Sequence, residues 1–230
     1  DLDTIRNYTM SVPFTATSSA TTSGVYTVAI RGLSPLGVTF DSTGSRVIIA
    51  DAFLDLVVAF DLSTPYDLST KQIDGRSLFI SQDSSIYDVS ISPTGDKLFV
   101  LGNSTDSIYA YDLSTAFELD TAVYSGEVLN LAGDDSLPYG FEIFNAGNEM
   151  LMVGDQNDRI YHYNLLTPYD ISTATTSGDV ILGLAGARDT TFNTTGTELY
   201  VIDSGTIIFF TLATPYDITT ATRTGTYTDL

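Results

Sequence analysis

Carboxylates could in principle supply this sequence with a glycosidase pair. Glu142, with Asp88 or Asp189, falls in short alternating segments that read as the innermost strands of a repeat. Two acids flanking a C–O bond can there serve as a glycosidase-type acid and base. The sequence gives no distance between them, and 29 acidic residues in a chain of 230 generate such pairs by composition. His162 is the only histidine and sits between Tyr161 and Tyr163 in a strand-like run. A Ser-His-Asp triad would have to use it, yet no Gly-x-Ser-x-Gly elbow is present, and a metal centre would lack a second histidine. It reads as a packed or surface residue. The expectation is therefore no catalytic residues and no enzymatic activity.

Asp51, Asp55, Asp106, Asp155, Asp158 and Asp203 fall where turns join apolar runs. Clustered acids can bind Ca²⁺, but none of these stretches follows an Asp-x-Asp-x-Asp-Gly loop, and Asp in a turn commonly accepts hydrogen bonds from its own backbone. They read as turn formers, with no metal site and no cofactor expected. Asn7, Asn103 and Asn193 each begin an Asn-x-Thr triplet and are candidate N-glycosylation sites, Asn103 being expected to be the most accessible. The aromatic row Tyr66, Phe117, Tyr169 and Tyr216 resembles a sugar-stacking platform, but one copy at a fixed place in each repeat points to a core-packing plug.

Nine Lys plus Arg against 29 Asp plus Glu leave a net charge of −20, which repels phosphate backbones and anionic membrane surfaces. Neither nucleic-acid binding nor membrane insertion is expected. The longest apolar runs are strand-length, far short of the roughly 20 residues needed to span a bilayer. With no Cys, disulfides and thiolate sites are excluded. The opening Asp1-Leu2-Asp3 suggests either a mature form after signal removal or a portion of a longer chain. High Thr and Ser content, little Lys and strong acidity suggest an extracellular or cell-surface protein.

The elements that must position these residues repeat. Thr64-Pro65-Tyr66-Asp67-Leu68-Ser69-Thr70 returns around Phe117, Tyr169 and Tyr216, with a worn copy at Val12-Pro13-Phe14-Thr15. The aromatic positions are spaced by 52 (14 to 66), 51 (66 to 117), 52 (117 to 169) and 47 (169 to 216). A turn ending in Gly44, Gly95, Gly147 and Gly196 keeps step with them. Before each Gly lies an alternating segment, and after it a continuous apolar run such as Val47 to Ala50 or Leu98 to Leu101, which implies burial on both faces. A third, aromatic strand and a fourth beyond the Thr-Pro-Tyr-Asp linker complete the unit, with at most one helical turn after Tyr66, Tyr169 and Tyr216. The fold class is all-β, a propeller-like array of four-stranded antiparallel blades with four full repeats plus a half repeat. One domain spans 1–230, divided into a partial blade at 1–36 and repeats at 37–86, 87–138, 139–187 and 188–230.

Ile86-Tyr87-Asp88-Val89-Ser90-Ile91-Ser92-Pro93-Thr94-Gly95-Asp96-Lys97-Leu98-Phe99-Val100 and Pro138-Tyr139-Gly140-Phe141 with Gly147 to Val153 resemble the YVTN-type, WD-like propeller repeat of bacterial and archaeal surface proteins. The linker at 169–175 is similar to repeats in marine bacterial and viral proteins. The resemblance covers nearly the whole chain and implies a fold, while propellers host unrelated tasks.

Counted in strands, the N-terminus supplies only the third and fourth of a unit, Ile5 to Met10 and Val25 to Ile30, and a last strand is expected at Thr224 to Leu230. Three explanations stand: a four-bladed ring with an extra edge pair, a longer chain that has been cut, or strands from another subunit. Unpaired edges template association. The function expected is an extracellular structural or interaction protein, such as the subunit of a surface appendage or filament, self-associating through its N-terminal strand pair and C-terminal segment. A glycan- or host-surface-binding adhesin or virion module is the alternative, with glycans as partners; a propeller hydrolase is a third reading.

Overall fold

In the computed structural model, residues 4–10, 20–27, 34–180 and 183–228 are described. The worn marker copy at 12–15 lies outside them. Eighteen strands occur among the described residues. β1 (Thr4–Met10) and β2 (Ala20–Thr27) pair with each other. Four sheets follow, each of four antiparallel strands in sequence order. Blade 1 contains β3 (Pro35–Phe40), β4 (Arg46–Asp51), β5 (Leu56–Leu62) and β6 (Lys71–Phe79). Blade 2 contains β7 (Ile86–Ile91), β8 (Lys97–Gly102), β9 (Ser107–Leu113) and β10 (Ala122–Asn130). Blade 3 contains β11 (Pro138–Phe144), β12 (Glu149–Gly154), β13 (Arg159–Leu165) and β14 (Ala174–Val180). Blade 4 contains β15 (Ala187–Phe192), β16 (Glu198–Asp203), β17 (Thr206–Leu212) and β18 (Ala221–Tyr227). The chain is thus a four-bladed β-propeller, as the repeat implied. The last strand begins and ends earlier than the expected Thr224 to Leu230, and β2 begins before the expected Val25.

Burial explains the continuous apolar runs. In blades 1 to 3 the second strand is covered on both faces, and alternate residues point to successive neighbours. Val47 and Ile49 pack toward Ile5 and Tyr26 of the β1–β2 pair. Ile48 and Ala50 pack with Leu98 and Val100, Phe99 and Leu101 with Met150 and Met152, and Leu151 and Val153 with Leu199 and Val201. The innermost strands accordingly meet in the order β3, β7, β11, β15. Among the described residues no helix is long and apolar enough to cross a membrane.

The two sequence markers keep step because they touch. A Cβ placed on Gly44, Gly95, Gly147 or Gly196 would strike the ring of Tyr66, Phe117, Tyr169 or Tyr216. Each of those aromatic N–H groups also donates to the carbonyl of its own glycine, at 2.8 or 2.9 Å. The aromatic residues adopt φ of 60° to 64°, a left-handed conformation unusual for bulky side chains and held here by that clasp. The expected core plug is corrected in one respect, since Tyr66 is 54% exposed. The buried pegs of the linkers are Leu68, Leu119, Ile171 and Ile218, two residues further on. Each opens the expected single helical turn, of 3-10 type, and Asp67, Asp170 and Asp217 cap three of the four through the N–H two residues ahead.

Candidate functional site

Each innermost strand carries a β-bulge near its start, where the register with the second strand slips by one residue: between Pro35 and Gly37, Ile86 and Asp88, Pro138 and Gly140, and Ala187 and Asp189. Bulges re-aim side chains. The residues after the slip form a row of alternating type, Gly37, Asp88, Gly140 and Asp189. The glycines are there for space: a Cβ on Gly37 would come within 2.5 Å of Asp88, and one on Gly140 within 2.9 Å of Asp189. Two residues further along, Thr39, Ser90, Glu142 and Thr191 occupy equivalent positions, so that a glutamate stands where the other three blades carry a hydroxyl. Strands β3, β7, β11 and β15 together enclose an open, polar cavity of about 320 Å³ lined by Asp88, Glu142 and Asp189.

The three carboxylates that the sequence singled out are therefore brought together, and each is tied to backbone. Asp88 accepts from its neighbour Val89 N–H (2.8 Å) and, across the blade boundary, from Phe141 N–H (2.9 Å). Asp189 accepts from Thr190 N–H through Oδ1 (2.7 Å). Glu142 reaches into blade 4, accepting from Phe192 N–H (3.0 Å) and the Thr191 hydroxyl (3.2 Å). Burial raises all three acids. The charge of Asp189 adds to the rise of Asp88, against the two N–H donors. Burial lifts Asp189 while Thr190 N–H opposes it. Glu142 is pushed up to about 7, first by burial and further by Asp189, despite its two donors. A carboxyl group that keeps its proton up to about neutrality, beside one that ionises more readily, is the arrangement from which acid–base pairs are made.

The bulged residues themselves form a row that the sequence did not reveal. Tyr87 lies on Tyr139, ring centroids 5.0 Å apart, and the Arg188 guanidinium sits 3.7 Å above the Tyr139 ring while bridging to Asp155 at 3.0 Å. Their only signal is a position directly before Asp88, Gly140 and Asp189, and its meaning depends on the bulge.

The other sequence candidates lie elsewhere. His162 bonds Glu149 through Nε2 at 2.7 Å and stacks on Phe144, a packing role. Asp55, Asp106 and Asp158 take left-handed turn conformations, while Asp51 and Asp203 accept backbone N–H groups. Among the described residues no group of three or more His, Cys, Asp or Glu is arranged to hold a metal ion. Of the sequon asparagines, Asn7 lies in β1 opposite Gly24. Asn103 is half-buried with its amide 3.4 Å from the Pro138 carbonyl, less open than expected. Asn193 uses its carbonyl oxygen on Thr197 and Glu198 N–H and its amide on Thr197 and Glu198 side chains.

No family model matches the sequence, and no curated protein is similar to it in sequence. Solved structures do match in shape. The periplasmic gluconolactonase PpgL of Pseudomonas aeruginosa superposes with a TM-score of 0.58 at 11% identity, over 85% of this chain and 54% of that protein. A candidate 6-phosphogluconolactonase of Bacteroides fragilis gives 0.59 at 11% identity, over 96% and 63%. The β-propeller domain of Cps50 (Swd1) from Myceliophteria thermophila gives 0.54 at 13%, over 91% and 62%. The chain thus spans between half and two thirds of the length of these three. The expectation of a non-enzymatic chain is corrected by this comparison, because the proteins that share the architecture include lactone hydrolases. At such identities the likeness shows the fold alone, and that fold is the β-propeller.

Proposed function

We propose that the central cavity is a hydrolytic site acting on a C–O bond of a small polyhydroxylated molecule, a sugar lactone or a glycoside. The observation that carries this reading is Glu142: at a position where the repeat places Thr39, Ser90 and Thr191, one blade substitutes an acid that burial holds near neutrality. A repeat protein needs the same residue each time for packing, so a single exception facing a cavity marks a task other than packing. Glu142 is the general acid, giving its proton to the departing oxygen. Asp88 spends both oxygens on N–H donors, whereas Asp189 commits one and lines the cavity, so Asp189 takes a proton from the attacking water. Water adds to the carbon, the C–O bond breaks, and transfer of the gained proton back to Glu142 closes the cycle. The gluconolactonase named above supports the lactone as the first substrate to try. The test is a panel of aldonolactones and aryl glycosides followed by titration of released acid or phenol. Glu142→Gln is expected to lower kcat by about 10²- to 10⁴-fold while keeping the circular-dichroism spectrum of the folded parent. Full activity in that variant, or no turnover of any panel member by the parent chain, overturns the proposal.

A second reading, an extracellular subunit that self-associates, is favoured by the outward face of blade 4. Tyr200 and Ile202 stand where Phe99, Leu101 and their counterparts are covered, and Ile202 is 38% exposed. The β1–β2 pair of a second copy, which exposes Val25, is the surface proposed to cover it. Light scattering and electron microscopy across concentration test this, and a monomer at the highest concentration removes it. The acidic, Cys-free composition supports placement outside the cytoplasm.

A further inference from the structure

The rim between blades 1 and 2 holds another cavity, about 380 Å³ and open to solvent. Phe79, the last residue of β6, lines it with 62% of its surface exposed. That side chain departs from the repeat. Phe79 pairs with Leu56 at the start of β5, as Asn130 pairs with Ser107 at the start of β9, and the next N–H donates to the Asp55 carbonyl in one blade and to the Asp106 carbonyl in the other. Asn130 uses its amide on the Ser107 hydroxyl, 3.2 Å away. Phe79 puts an apolar face at the equivalent place.

Polar groups of both senses surround that face. Asp55 Oδ1 is buried and accepts no hydrogen bond among the described residues. With no accessible surface that oxygen is out of reach of a ligand in the cavity, and the polar groups that can meet one belong to Gln82, Ser84 and Ser104. Gln82 receives the Tyr111 hydroxyl on Oε1, which leaves Nε2 as a donor. At the corresponding place in blade 3 Asp134 receives Tyr163 and offers no such donor. The Ser84 and Ser104 hydroxyls lie 2.9 Å apart at the edge of the cavity, each able to donate or accept. A flat apolar face ringed by donors and acceptors complements a pyranose, which has C–H groups on its faces and hydroxyls around its edge. The chain's charge of −20 opposes an acidic sugar.

We propose that this rim cavity binds a neutral pyranose, such as the terminal hexose of a glycan, with Phe79 under the ring and Gln82, Ser84 and Ser104 bonded to its hydroxyls. The assignment is independent of the channel reaction. Saturation-transfer NMR with the methyl glycosides of glucose, galactose and mannose at millimolar concentration tests it. At least one glycoside is expected to receive saturation. Phe79→Ala is expected to weaken binding about tenfold or more, as truncation of an aromatic anchor does. Because Phe79 is exposed, that variant keeps the fold. Absence of transfer to all three glycosides, or parent-like binding by Phe79→Ala, overturns the proposal.

Discussion

Two sets of buried aspartates in this molecule live under opposite conditions. At the outer turns, Asp51, Asp83 and Asp135 each accept from three backbone N–H groups. For Asp51 these are Ser34, Phe53 and Leu54; for Asp83 they are Ser85, Ser104 and Thr105; for Asp135 they are Leu137, Gln156 and Asn157. At the channel, Asp88 and Asp189 face each other and Glu142 with fewer donors and more mutual charge. The outer set acts as fasteners, with charge neutralised by the main chain. The inner set holds acids under pressure to keep a proton, which is a cost to the fold and an asset to chemistry.

The fasteners teach something further, since the same location is filled from two different points of the chain. Blades 2 and 3 supply the carboxylate from the incoming loop and carry glycine at the end of the second strand, as Asp83 with Gly102 and Asp135 with Gly154. A Cβ on either glycine would fall 2.3 Å from its aspartate. Blade 1 carries the acid at the strand end, as Asp51, and in its sequence a glycine, Gly32, stands three residues before the first strand where Asp83 and Asp135 stand in theirs. Blade 4 also uses the strand end, where Asp203 accepts from Ala185 N–H at 3.0 Å. What the architecture requires is an acceptor at that point, whichever strand delivers it.

The largest expected effect comes from breaking this exchange. Asp83→Gly strands three N–H donors in a buried turn and should cost about 4 kcal/mol in urea unfolding. Gly102→Asp alone drives a side chain into Asp83 and should also destabilise. The double variant copies blade 1 and is expected to recover most of the loss. If it proves no better than the worse single variant, the two arrangements are not equivalent and the comparison of fasteners fails.

How much of this was legible beforehand follows from what each feature depends on. Tyr66 with Gly44, and their three echoes, were readable because the two markers recur together, 22 residues apart in three units (44 to 66, 95 to 117, 147 to 169) and 20 in the last (196 to 216). Their contact was not, since it needs the left-handed φ that lets the linker fold back over the turn. Asp88, Glu142 and Asp189 could be named as acids on inner strands, but 54 residues (88 to 142) and 47 residues (142 to 189) separate them. Only the blade order and the four bulges set them around one cavity. Asp51 and Asp55 were placed correctly at turns, whereas Asp83 and Asp135, which do the same work as Asp51, were missed. Aligning the units with Gly32 over Asp83 would have exposed the exchange. Asn103 looked open because its triplet sits in a turn, and its amide proves to be directed toward the neighbouring blade.

A second prediction concerns the inner acids and has the opposite pH sense from an ordinary ion pair. Glu142 ionises near its usual 4.5 in the unfolded chain and near 7 in the folded one. Its contribution to stability is fully present below about 4.5 and is lost as pH rises through about 7, a swing of about 3 kcal/mol. Asp88 and Asp189, also raised by burial, push the same way. The melting temperature should therefore fall between pH 5 and pH 8, and Glu142→Gln should flatten much of that slope. A temperature that holds or rises over this range would place the inner carboxylates with the fasteners.

The smallest effect is also the one that most finely separates the two sets. Glu142 is restrained from rising further by the Phe192 N–H and the Thr191 hydroxyl, and only the second can be removed without touching the backbone. Thr191 is exposed, so Thr191→Val leaves the strand intact while withdrawing one donor from the charged form. The Glu142 pKa should then move upward by roughly half a unit, seen as a shift of its carboxyl ¹³C titration and of the upper limb of the pH–rate profile. Removing a donor from the acid would extend its protonated range, so the hydroxyl at Thr191 would set where the proposed general acid works. No movement would mean that burial alone fixes Glu142, and that the hydroxyl ring of Thr39, Ser90 and Thr191 has no part in tuning it.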